Sequence, residues 1–366
     1  MRAWHQVVQQ AGRWHAPGYE GCRPVAGDLV GFLRPRLSGC LGKHEQSGAD
    51  KALPAIVFAV VAAVGAVGKV RLPLVRLLLR AEPSDRREAE RQRRALTQAG
   101  TALQPDAVLV VDAGFGVAAL RTEGVPRFVA RVARHLTARR HRLPASPGRG
   151  RRPASGERVR PVPRTHNGRT MAASPPDAPA PWVVAGRTRQ AQVWDDLVLA
   201  TAPPGAPAFR WAVIHDPRSQ APWGLATNRP LSASALWCLS RARWPIAPMP
   251  LAATQRGGAH RAFVCGDESR HRLPELARLA GKVLASAAAT ATAVATGFWD
   301  RCCRPTCGRW RRVRWRVDFS EIPVPEGPLR KKASVTAPVP KGVQGHRRQQ
   351  GVVAPPANGL RQRKAA

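Results

Sequence analysis

PDAVLVVDAGFG, residues 105–116, contains an uncharged run from Val108 to Val111 that stops at an aspartate and passes into a glycine turn. A short apolar run bounded by turn signals reads as a buried strand. An acid at the end of such a strand makes Asp112 a candidate site residue, although a strand-ending turn is the plainer reading of the same pattern.

Upstream, SDRREAERQRRALTQAG (84–100) has a Ser/Asp start, acids in its first half and a terminal Gly100, which predict a helix facing mostly water. The segment before it, from Ala52 to Gly68, is 17 uncharged residues, at the short limit for a membrane span. Its Val and Ala with Pro54, Gly65 and Gly68 instead predict buried strands joined by tight turns. GDLVGFLRPRL (27–37) is the first expected strand, with Asp28 at its start.

Downstream, RFVARVARH (127–135) fits strand or helix. Residues 139–181 are rich in Pro, Arg, Ser and Gly, so a disordered or strand-poor basic insertion is expected there. Short strands are expected at 182–186, 193–200, 210–216 and 223–228, helix from Ser232, and a second helical tract over 273–295. The organisation is then a loop-rich segment at 1–24, two parts of one domain at 25–138 and 182–300 separated by 139–181, and a basic tail at 301–366 that is disordered beyond Pro323.

The formal net charge is +36, from 59 Lys+Arg against 23 Asp+Glu, and only eight of the cations are lysines. A globule so charged repels itself unless a polyanion shares its surface, and guanidinium forks suit phosphate. GC-rich coding DNA would produce the same enrichment in Ala, Arg, Pro and Gly. Seven cysteines without regular spacing, and no secretory signal, indicate a reduced cytoplasm. Cys302, Cys303 and Cys307 lack the fourth ligand that a structural zinc site usually has.

Three stretches together resemble the insertion-sequence transposases of the DDE type, which have an RNase H-like core. VLVVDAGFG followed by RFVARVARH is similar to the family's second catalytic strand and its neighbour. WGLATNRPLSASALWCLSRARWPI (223–246) is similar to its late block, where a helix carries Tyr-x-x-Arg-Trp-x-Ile-Glu with a Lys seven residues further on. The order of elements also matches: a strand with an acid, further strands, a helix, a strand with an acid, a long insertion, then a helix.

That resemblance implies an α/β fold with a mixed sheet flanked by helices, and DNA transposition by metal-dependent strand cleavage and transfer. It implies Asp28 and Asp112 as catalytic residues and ligands of Mg²⁺ or Mn²⁺, the hard cations that assist in-line displacement at phosphate. Arg131, Arg241, Arg243 and Trp244 fall to DNA contact, with a core anchor as the plainer role for Trp244. Partners would be transposon ends and target DNA, with the protein a homodimer in a bacterial cytoplasm, associated with the nucleoid. The signature is damaged: Arg243, Trp244 and Ile246 remain, but Ser240 stands for Tyr, Ala247 for the helix Glu and Thr254 for Lys. An inactive copy is therefore expected, and Asp267 and Glu268 lie too far downstream to replace the lost acid.

Other patterns carry less. GFG at 114–116 is an incomplete dinucleotide fingerprint, and His215-Asp216 before Pro217 reads as a turn. The alternatives from other classes are a non-catalytic nucleic-acid-binding protein that uses 139–181 and the tail, a protein anchored in a membrane by 52–68, and a decayed reading frame.

Overall fold

In the computed structural model, alternation along 107–111 creates two buried faces: Leu109 and Val111 join one apolar cluster, Val108 and Val110 another. The structure describes residues 14–33, 43–44, 53–67, 70–80, 87–133, 135–145, 148, 153, 155–184, 186–203, 205–246, 272, 274–276 and 279. The chain divides into two units, Met1–Pro323 and Val324–Ala366, and every described residue belongs to the first.

The principal strands are β1 (Arg23–Leu33), β2 (Leu53–Ala63), β3 (Leu74–Arg80), β4 (Ala107–Val111), β5 (Phe128–Val132), β6 (Ala138–Arg140), β7 (Arg187–Leu199), β8 (Phe209–His215) and β9 (Trp223–Thr227). The principal helices among the described residues are α1 (Glu88–Ala102), α2 (Val117–Thr122) and α3 (Ala233–Ala242). One mixed sheet runs in the order β6-β7-β8-β9-β5-β4-β1-β2, with β3 paired to β2. Parallel pairing joins β1 to β4 and β4 to β5, while the other principal pairs are antiparallel.

Helices cover both faces. From α1, Ala95, Leu96 and Ala99 pack with Leu109, Val111, Phe128 and Val61, and from α2, Val117 and Leu120 join them. On the opposite face Leu236, Trp237 and Leu239 of α3 pack on Val108, Val110, Val129 and Leu225. A parallel pair has to be buried on both sides, so β4 reads as an unbroken apolar run.

The uncharged stretch 52–68 is mostly β2, whose residues from Ala55 to Ala63 are all buried. Among the described residues no helix is long and apolar enough to cross a membrane. Two boundaries differ from expectation. Strand β1 starts earlier, at Arg23, because Arg23 to Ala26 pair in parallel with Ala107 to Val110, and Asp28 is consequently mid-strand. Helix α1 runs past Gly100 to Ala102, and its first turn is fixed by Glu90, whose carboxylate accepts from the Arg87 amide at 3.0 Å.

Residues 139–181 depart most from the sequence reading. The described part carries short strands at Arg158–Val159, Arg164–His166, Arg169–Met171 and Ala178–Pro179, two of which extend the main sheet. Val159 is 1% exposed within the apolar cluster beneath α1. Contacts distant in sequence fix this segment. The Trp194 indole donates to Pro175 O at 2.8 Å, and Arg140 grips both carboxylate oxygens of Asp177 at 2.5 and 2.6 Å. Polar strands of two or three residues have no apolar period, so the composition concealed them.

Two outcomes follow. Trp194 is fully buried, so Trp194→Ala should cost about 3–5 kcal/mol in chemical denaturation and speed proteolysis within 160–181. The hydrogen bond from Arg140 holds the Asp177 carboxyl below its ordinary range. Its stabilising effect is complete above the ordinary carboxylate range and is lost as pH falls through the lowered folded-state value. Hydrogen exchange at Asp177 and Ala180 should accelerate, relative to the global rate, only under that acid condition.

Candidate functional site

The parallel register that pairs Ala26 with Val110 carries Asp28 alongside Asp112, one at mid-strand in β1 and the other just past the end of β4. Asp112 caps the 3-10 turn Ala113–Phe115, its Oδ1 accepting from the Ala113 amide at 2.8 Å. Gly116, at φ 62°, then turns the chain into α2.

Onto this acid pair comes Arg243, the residue that ends α3. Its Nη1 donates to Asp28 Oδ2 and its Nη2 to Asp112 Oδ2, both at 3.0 Å. The Arg243 side chain is 12% exposed, Asp28 20% and Asp112 41%. Both ends of the helix are pinned. Ser232 caps the start, its Oγ accepting from the Ala235 amide at 3.1 Å and donating to Glu20 Oε1. The Ser232 amide also donates to Glu20, at 3.0 Å. Beyond Arg243, Ile246 is fully buried against Ala26, Val60 and Val75. Glu20 was not foreseen: its place in a tight turn, at φ 49° before Gly21, leaves no apolar pattern to read.

The signature residues separate on inspection. Arg243 meets both acids, and Ser240 is buried at 7% exposure. Trp244 is 51% exposed, so it is no core anchor, and Ile246 takes that part. Ala247 and Thr254 lie outside the described residues, as do Asp267, Glu268, the cysteines 302, 303 and 307, the tail 301–366 and most of 273–295. Asp216, 6% exposed, accepts from the Arg218 amide and faces Arg189 at 3.8 Å, so His215-Asp216 is a turn with a buried counter-ion.

Arg131 and Arg241 are not beside the acids but belong to a stack of rings and guanidinium groups. Arg131 lies over Trp223 at 4.7 Å, and Trp223 packs on Trp237 at 4.9 Å between centroids. Arg189 and Arg241 both lie over Trp237, at 5.1 and 5.5 Å. Such contacts orient the guanidinium planes and leave N–H edges for other acceptors. Nearby, burial pushes the Cys238 thiol up, against the pull of Arg189 and Arg241, so it stays protonated at neutral pH.

Carboxylate oxygens are hard donors of the type Mg²⁺ and Mn²⁺ prefer. Here, however, one oxygen of each acid is engaged by Arg243, the second oxygen of Asp112 by Ala113, and no group of three metal-binding side chains occurs among the described residues. As arranged, the acid pair holds a guanidinium. Comparison with models of known protein families finds no match, and comparison with curated proteins finds none.

The bridge predicts a change of sign. Arg243→Ala should destabilise the fold by about 1–3 kcal/mol, discounted for the exposure of Asp112. Asp112→Asn should destabilise the parent but stabilise the Arg243→Ala variant, where it relieves repulsion with Asp28. A double-mutant cycle by urea denaturation reads both effects.

Proposed function

We propose that this chain is a transposase-like DNA-binding protein of an insertion sequence, with an RNase H-like core. The family activity is metal-dependent strand cleavage and transfer. This copy is inactive because Ala247 stands where the family's helix places glutamate. The observation that carries the reading is the meeting of Asp112 and Arg243, which the sequence motifs single out, with Asp28, assigned by its order in the chain, across separations of 131 and 215 positions. The order of the principal elements supports it too: a strand with an acid, two further strands, a helix, a strand followed directly by an acid, a short helix and a strand, an insertion of strands, then the helix.

Binding would rest on charge. Log affinity for DNA should fall linearly with log salt, because each phosphate contact releases counterions. Arg131→Gln and Arg241→Gln should each weaken binding on any sequence and reduce that slope by about one.

The decisive experiment is cleavage of DNA carrying the element's ends in Mn²⁺. The parent chain should not cut. Ala247→Glu with Thr254→Lys and Arg243→Gln, which releases the carboxylates that Arg243 engages, should cut, and Asp112→Ala added to it should abolish cutting. Adding Ser240→Tyr is less informative, since Ser240 is buried and overpacking costs about 1–3 kcal/mol. Cutting by the parent would overturn the role given to Ala247. Repaired forms that fold and bind DNA but never cut would leave a non-catalytic binding protein as the reading.

A further inference from the structure

We propose that Arg243 is the resident cation of this site: its guanidinium takes the place between Asp28 and Asp112 that a divalent ion would need, so the chain closes its acid pair without metal. Two nitrogens of one planar group are spent, one on each acid, at equal distances of 3.0 Å. A planar fork can span two carboxylates in this way, whereas a single ammonium is a point charge.

The fork is not a loose surface side chain. Its backbone stands between Ala242, 6% exposed, and the 3-10 turn that ends in fully buried Ile246. The far end of α3 is fixed by Glu20 at Ser232. Arg243 therefore cannot leave by helix movement alone. An ion at the ordinary Mg²⁺–oxygen distance of roughly 2.1 Å from either Oδ2 would sit against a positive charge already in contact with that oxygen. Admitting the ion requires expelling the guanidinium, and Asp112 offers little in exchange while its Oδ1 holds the Ala113 amide.

The same commitment takes Arg243 away from nucleic-acid phosphate, leaving that role to Arg131 and Arg241. The inference stands whether or not the chain descends from a transposase, since it concerns only which cation neutralises the pair.

Mn²⁺ is the probe, read by thermal melting in EDTA or millimolar Mn²⁺ and by the paramagnetic signal of free ion. The parent should melt at the same temperature in both media and show no saturable Mn²⁺ binding that depends on Asp112. Arg243→Gln should lose about 5 °C in EDTA and regain part of it with Mn²⁺. Its affinity for Mn²⁺ should exceed the parent's by at least about tenfold, and the gain should vanish in Arg243→Gln/Asp112→Asn. Arg243→Lys should also melt below the parent. Saturable Mn²⁺ binding by the parent that Asp112→Asn abolishes would overturn the proposal, and so would an Arg243→Gln protein that melts with the parent and gains no Mn²⁺ affinity. If Arg243→Gln does not fold, titration of the parent against Asp112→Asn decides the question.

Discussion

Two carboxylates on adjacent parallel strands repel one another, and the strand register leaves them no freedom to part. The neutralisation of Asp28 and Asp112 by Arg243 is therefore the interaction around which the other elements are arranged. Strands β5 and β9 pair antiparallel, from Val129 with Thr227 to Val132 with Gly224, and the chain leaves β9 at the edge of the helix that brings the arginine. Helix α3 is then held at its start by Glu20 and at its end by Asp28, acids eight residues apart in the same N-terminal segment. Its apolar face supplies the area that makes this docking favourable, and the acids determine where along the sheet it stops.

The excess of arginine has a partly internal explanation. Arg140 is spent on Asp177, Arg210 on Asp195 and on Leu231 O, and Arg189 faces Asp216 beneath the Trp237 ring. Each of these holds a strand or a turn. Asp195 and Asp196, with Asp196 at φ 54°, form the irregularity that breaks register in β7, and Arg210 anchors it. Net charge consequently overstates the number of guanidinium groups available to an outside polyanion, and the stacked pair Arg131 and Arg241 is better placed for that purpose than Arg243.

Much of the sheet was legible because its strands are apolar enough to announce themselves. The run ending at Asp112, the buried stretch at 52–68 and the strands at 182–184, 209–215 and 223–227 appear where their composition placed them, the strand expected at 193–200 begins earlier, at Arg187, and the helix starts at Ser232 as expected. What stayed hidden was set by partners distant in the chain. The start of β1 depends on pairing with β4, and the strands within 139–181 depend on Trp194 and Asp177. Trp244 points outward because Ile246, two residues on, fills the space over Ala26. Which acids Arg243 would meet could not be read locally, since a basic residue at a helix end has the same appearance whether it faces phosphate or carboxylate.

The separation of Arg243 from its acids also bears on biogenesis. Synthesis delivers Asp28 and Asp112 long before the residue that reconciles them, 215 and 131 positions later. Until then the nascent chain can build β1 to β5 but lacks the guanidinium that bridges the two carboxylates. Completion of the fold waits on the ribosome reaching the end of that helix, and contacts this distant in sequence form slowly. Chains released early would lack the arginine and present an apolar sheet face to whatever lies nearby, so the interval before release is when this protein depends most on being shielded.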